Sequence, residues 1–381
     1  MTLPWSQLRS DFFPISHFNF NPGTLGSCSP VLRARSQEKL CALTGYPLGL
    51  YQEGRTALQA CKKLVKECWG SGDVEVAVGW PSTTTANHLT LAVASVHAPP
   101  IRVLTSEHEH YGGISGFEHH PSYEVLYLTP EEMHDPTAFR KRVREVRPHL
   151  ALFSHITWTL GEILPVERWC AMVREEYPEC LTVIDAAQSF GLVELPFGAA
   201  DLMFASAHKW LCGPLETGLL WIRRDALERL PPLNWMQGGL DGNSVTAGFE
   251  SAGGMDFSRY WHFQSLLELI QSEGRMRLQD RTRMLGAHFV SLWHERLSHL
   301  THLRCVQAES GMVIVHFDEG DSYPVYRELN ESGIHVKCIK RTLSSGRVLN
   351  LLRLGFPFYE TTERLEEAFS LLQPCLERHL P

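Results

Sequence analysis

At 381 residues, with 44% hydrophobic and 20% charged side chains, the chain has the composition of a globular protein and exceeds what one core usually holds, so a large and a smaller domain are expected. The net charge of −8, with basic residues scattered, argues against nucleic acid as a partner. Ten cysteines without a C-x-x-C pair read as reduced thiols; no apolar run approaches the ~18 residues of a membrane span, and the first residues lack a signal-peptide build, so no membrane partner and a cytoplasmic location are expected.

Near the N-terminus, HFNFNPGTLGSCSPVLRA sets His17, Asn19 and Asn21 before a turn at Pro22 and Gly23, then a helix entered at Ser29 with Pro30 as its first residue. A helix over 55–69 and a strand over 74–80 precede PSTTTANHLTLAVASV. Three hydroxyl residues ahead of small and apolar residues at helical spacing make a helix start that either caps itself or holds a phosphate. A strand over 101–104 delivers TSEHEHYGG. Glu107, His108, Glu109 and His110 alternate with no third ligand at metal spacing, so no metal is expected. His119 and His120 read as surface residues.

A helix over 135–147 leads to a strand over 150–154 and then HITWTLGEILPVERW, which carries His155, Trp158, Gly161 and Pro165. Further apolar strands follow at 181–184, ending in Asp185 and Gln188, and at 202–205, ending in Ser206, His208 and Lys209. Another covers 218–222. Beyond it, a glycine-rich stretch over 236–261 reads as a long loop. Helices over 259–272 and 276–297, strands over 312–317, 334–339 and 348–354, and a helix from Thr361 make the smaller, mixed region.

Ligand groups in open α/β sheets gather at the carboxyl ends of strands. There a lysine walled by Trp210 and Leu211 loses its ammonium form to burial and becomes a nucleophile able to form a Schiff base. A carboxylate at a neighbouring strand end suits a pyridinium nitrogen, so Lys209 and Asp185 together suit pyridoxal phosphate.

The motifs DAAQ (185–188) and SAHKWLCGP (206–214) resemble the class V aminotransferase family of fold-type I pyridoxal-phosphate enzymes, which contains cysteine desulfurases, isopenicillin N epimerase and several C–S lyases. HKWLCGP is especially similar to the epimerase branch. The resemblance implies an α/β fold: a large domain over 21–257 with a mostly parallel seven-stranded sheet, and a smaller α+β domain over 1–20 and 258–381. It also implies a homodimer with active sites at its interface.

Carried over residue by residue, it makes Lys209 the Schiff-base residue and Cα base, and Asp185 the partner of the ring nitrogen. His110 stacks on the ring, and Gln188 tunes the phenolic oxygen. Thr83, Thr84, Ser206 and His208 hold the phosphate, with Asn87 matching a family asparagine. Gly253 and Gly254 stand where the family offers a Gly-Thr pair to the phosphate of the other subunit's cofactor. Arg353 takes the α-carboxylate of an amino-acid substrate, near Asn21. Trp158 replaces a family Asn or Ser, and an indole offers a donor only, which changes or removes that contact.

After Cα deprotonation three exits are open: epimerisation, transamination and Cβ elimination. The expected reaction is Cβ–S elimination from a cysteine-derived substrate, from the Trp158 motif and a set of aromatics (Phe18, Phe20, Trp158, Trp235) that are either pocket or core. An epimerase or aminotransferase, or a non-catalytic partner subunit with the same fold, are the alternatives. Cysteine desulfuration is disfavoured at this point, because no cysteine stands near Thr342, where the family's mobile nucleophile is counted, and Cys338 ends an apolar strand.

Overall fold

The computed structural model describes residues 2–70, 73–233, 245–250 and 256–379. Along the chain the strands are β1 (Phe18–Asn19), β2 (Val74–Gly79), β3 (Ile101–Ser106), β4 (Tyr123–Leu128), β5 (Leu150–Ser154), β6 (Leu181–Asp185), β7 (Leu202–Ser206) and β8 (Gly218–Arg223), then β9 (Leu303–Gln307), β10 (Val313–Phe317), β11 (Ile334–His335), β12 (Lys337–Thr342) and β13 (Val348–Leu354).

Seven strands form one sheet in the order β2-β8-β7-β6-β5-β3-β4. All run parallel except β8, which is antiparallel to both β2 and β7. The middle strands LALFS, LTVID and LMFAS are buried at every position. Such continuous apolar runs, rather than alternating ones, are what a parallel sheet covered on both faces requires. Their last residues, Ser154, Asp185 and Ser206, therefore emerge together at one edge. The fold is α/β with a large, mostly parallel seven-stranded sheet, as the resemblance implied.

A second, antiparallel sheet runs β12-β13-β10-β9 and packs with the helices Arg275–Arg296, Ser322–Glu331 and Thr362–His379. The N-terminal β1 belongs here, pairing in parallel with β11 through Phe18↔Ile334. Phe18 and Phe20 accordingly lie in the apolar core with Phe289 and Phe356, not in a pocket. Trp235 lies outside the described residues.

Several elements depart from expectation. The helix expected from 55 starts at Pro47, a residue suited to a first turn where its missing N–H costs nothing. The single strand expected over 334–339 is two, because the chain changes partner at Val336, from β1 to β13. The helix Tyr111–His119 was not foreseen, since glycines at 112, 113 and 116 lower helix propensity. Packing overrides this. The His110 side chain caps Gly112 N–H at 3.0 Å, and a Cβ at Gly116 would stand 2.7 Å from Asn87 Oδ1, so only glycine lets this helix lie against the helix Ser82–Ala94.

Candidate active site

At the carboxyl edge of β5, β6 and β7 lies a cavity of about 310 Å³, enclosed by the N-terminal loop and by β12 and β13. Lys209, three residues past β7, lines it. Burial is the main influence on this amine and brings its pKa down from 10.5 to about 8; Asp185 opposes the shift and Arg353 reinforces it. A minor but usable fraction of the side chain, about a fifth at pH 7.4, is then neutral.

Asp185 ends β6 and is buried. Its Oδ1 accepts the Ala187 N–H at 2.7 Å, which fixes the carboxyl orientation, while Oδ2 points toward Gly113, where a Cβ would come within 3.0 Å. Burial raises its pKa, and Lys209 and the Ala187 N–H pull it back.

Gln188 is fully engaged in positioning. Its Nε2 donates to Gly23 O at 2.9 Å and its Oε1 accepts from Trp210 Nε1 at 2.9 Å. One amide thus ties the N-terminal loop to the wall beside Lys209, while also lining the cavity. That loop sits on the lysine's own backbone: Gly26 N–H donates to His208 O at 2.7 Å, and a Cβ at Gly26 would stand 2.1 Å from Lys209 O.

The helix Ser82–Ala94 aims its N-terminus at the cavity. Its N-cap is Pro81, which supplies no side-chain cap. Ser82 N–H is taken by Ser206 Oγ at 2.9 Å, and the Ser206 hydroxyl donates in turn to Ser82 Oγ. Among the described residues nothing takes the N–H groups of Thr83 and Thr84. An open helix start of this kind favours an anion. Thr83 lines the cavity and Thr84 does not. Asn87 faces Gly116 rather than the cavity. His208 contributes a buried Nδ1 without a hydrogen-bond partner, and burial lowers its pKa to about 4.

His110 accepts the Gly112 N–H on Nδ1, so its proton sits on Nε2. Burial and then the neighbouring cations bring its pKa down to about 3, keeping the ring neutral. Trp158 meets it edge-on at 5.2 Å. The indole N–H is spent on Glu109 O at 3.3 Å, while the Trp158 carbonyl accepts from Arg353. Glu109 is itself buried under hydrogen bonds from Ser106 and Ser154, with its pKa raised to about 7 by desolvation.

Arg353, on β13, is 3% exposed. Its only acceptors among the described residues are neutral: the Trp158 carbonyl and Asn21 Oδ1 at 3.2 Å. Asn21 thus orients the guanidinium without lining the cavity. Burial lowers the arginine's pKa to about 10. A buried guanidinium without a carboxylate is costly in isolation and calls for an anionic ligand. Sequence reasoning missed Lys337, which also lines the cavity; only the pairing of β12 with β13 places it there. Gly253 and Gly254 lie outside the described residues.

The constellation fits pyridoxal phosphate. Lys209 would offer its amine to the aldehyde, Asp185 its carboxyl to the ring nitrogen and His110 its flat imidazole to a ring face, while the open helix start with Ser206 and the unpartnered His208 Nδ1 would receive the phosphate.

Comparison with known proteins agrees. The family model described as Aminotransferase class-V matches residues 17–367. Isopenicillin N epimerase of Amycolatopsis lactamdurans is 36% identical over 93 residues, 23% of each chain. A probable hercynylcysteine sulfoxide lyase of Mycobacterium tuberculosis is 43% identical over 58 residues, 14% of each. The cysteine desulfurase of Haloferax volcanii is 23% identical over 356 residues, 86% of this chain and 81% of the relative. The chain thus spans about a quarter of the length of the epimerases it matches.

Among solved structures, the Escherichia coli cysteine desulfurase CsdA superimposes with a TM-score of 0.79 at 15% identity, covering 100% of both chains. A variant of C-DES with glycine covalently linked to its PLP cofactor superimposes with a TM-score of 0.75 at 17% identity, covering 98% and 99%. These likenesses are of fold.

One expectation is overturned. The sequence disfavours desulfuration for want of a cysteine near Thr342 and because Cys338 ends an apolar strand, yet cysteine desulfurases are among the relatives matched over the greatest share of the chain. The structure places Thr342 at the end of β12, paired with Val348 in a hairpin, and places the half-buried Cys338 near the start of that strand rather than at a strand end.

Proposed function

Because the chain belongs to the class V aminotransferase family and its cofactor is pyridoxal phosphate, we propose that it acts on an amino acid by removing the Cα proton, and that it cleaves the Cβ–S bond of a cysteine-derived substrate. The observation that carries this reading is one cavity holding a lysine amine with a lowered pKa, a buried carboxyl and a buried arginine without a carboxylate partner among the described residues.

Bound, the cofactor supplies an aldehyde and an electron-accepting ring. The protein's own groups do the rest. Arg353, held by Asn21 and the Trp158 carbonyl, receives the α-carboxylate and fixes the orientation of the amino acid. Asp185 Oδ2 holds a proton at the ring nitrogen. Lys209 Nζ takes the proton from Cα, and the electron pair it leaves drives the sulfur off Cβ. The departing sulfur takes a proton, and released 2-aminoacrylate hydrolyses to pyruvate and ammonia. His110 covers one ring face, and Trp210 closes the wall behind Lys209 to water. C–S cleavage is the chemistry that the names of a sulfoxide lyase and of the desulfurases share. A homodimer and a cytoplasmic location belong to the same proposal.

The test is incubation of the holoprotein with cysteine, cysteine S-conjugates and their sulfoxides, with pyruvate, alanine and released sulfur followed together. Pyruvate with a thiol or sulfenate marks elimination, and alanine with sulfane sulfur marks desulfuration. Lys209→Ala should lose turnover by about 10²–10⁴, the range of a positioned base. No C–S cleavage from any of these substrates sinks the proposal.

A further inference from the structure

Lys337 and Arg353 are cross-strand partners on β12 and β13, and both line the cavity. Directly opposed residues of an antiparallel pair share a face, and like charges there are destabilising. Neither side chain relieves the other. Among the described residues the Lys337 ammonium makes no hydrogen bond or ion pair, and the Arg353 guanidinium meets only neutral oxygens. The sheet therefore presents two adjacent cations, at least one more than an α-carboxylate needs.

The phosphate does not account for the second charge. Its cradle is the start of the helix Ser82–Ala94 with Ser206 and His208, whereas Lys337 is fixed opposite Arg353, on the substrate side. Among the described residues no carboxylate ion-pairs with either cation, so the counter-charge must arrive with the ligand.

We infer that Lys337 is a specificity-determining residue that binds a second anionic group, carried on the side chain of the substrate, so that the preferred substrate class is an acidic amino acid such as a carboxyalkyl-bearing cysteine derivative. This rests on the proposed role of Arg353 at the α-carboxylate. Arg353 grips the end common to all amino acids, and Lys337 selects by the charge at the other end. Cleavage itself is untouched by the selection, since the proton and the sulfur leave from Cα and Cβ.

The test uses isosteric pairs that differ by one charge. On the holoprotein, calorimetry compares glutarate with its half-amide glutaramate, which needs no turnover and so separates this inference from the C–S cleavage reading. Glutarate should bind about tenfold tighter or more, and Lys337→Gln should collapse the ratio to about one, because the half-amide cannot make the charge-assisted hydrogen bond that the ammonium offers a carboxylate. In turnover, kcat/KM for S-carboxymethylcysteine over S-carbamoylmethylcysteine should follow the same ratio. Equal binding of the two ligands by the unsubstituted protein, a ratio that survives in Lys337→Gln, or a Lys337→Gln protein whose chief loss is cofactor affinity would each overturn the inference.

Discussion

Lys209 gains its reactivity from two opposing influences, and their balance can be measured. Desolvation lowers the pKa, the Asp185 carboxyl resists, and the outcome of about 8 lies well below the ordinary 10.5. Only the neutral amine attacks an aldehyde, so uptake of pyridoxal phosphate by stripped protein should accelerate as pH rises, with a midpoint near 8. Stopped-flow absorbance across pH 6.5–10.5 reads this directly; a midpoint above 10 would mean that the amine is solvated. At this scale Lys209, Asp185, His110, Ser206 and His208 were legible because each follows or precedes an apolar strand or a helix start at a short, countable offset. Thr84 was assigned to contact and does not line the cavity, since each helical step turns the side chain by about 100°. Lys337 was invisible for another reason: its partner across the sheet is set by register, which local pattern does not encode.

At the level of elements, the N-terminal loop is the least replaceable part of the site wall. Gly26 lies so close to the backbone of Lys209 that a methyl group would sit 2.1 Å from its carbonyl oxygen and 3.1 Å from Cys212 Cα. Neither neighbour is a movable side-chain tip. Gly26→Ala should therefore cost about 1–3 kcal/mol, the usual penalty of overpacking, and lower cofactor occupancy with it. Thermal unfolding and the 400–450 nm absorbance of the purified variant check both, and unchanged values would show that the loop yields freely. The fully buried strands β5, β6 and β7 were legible as apolar runs. The helix Tyr111–His119 was not, because its glycines serve packing against a neighbouring helix, a condition visible only once the two are together.

For the molecule as a whole, the cofactor is expected to act as internal mortar. Groups that would hold it come from the helix Ser82–Ala94, β6, the turn after β7 and the start of the helix Tyr111–His119, while β12 and β13 close the other side of the cavity. A ligand that binds only the folded chain stabilises it by about 2.7 kcal/mol at a hundredfold excess over Kd. Stripping with hydroxylamine should therefore lower Tm by several degrees, and adding pyridoxal phosphate back should restore it. Identical Tm values for the two forms would show that the site is rigid and complete on its own.

The cavity draws on residues from Gly23 to Arg353. During synthesis, then, a ribosome that has delivered Lys209 has produced no closed cavity, and the nascent polypeptide must wait for β12 and β13 to complete its wall. A polypeptide cut short anywhere before β12 lacks Arg353 and leaves Lys209 open to water, so the burial that lowers its pKa is lost with it.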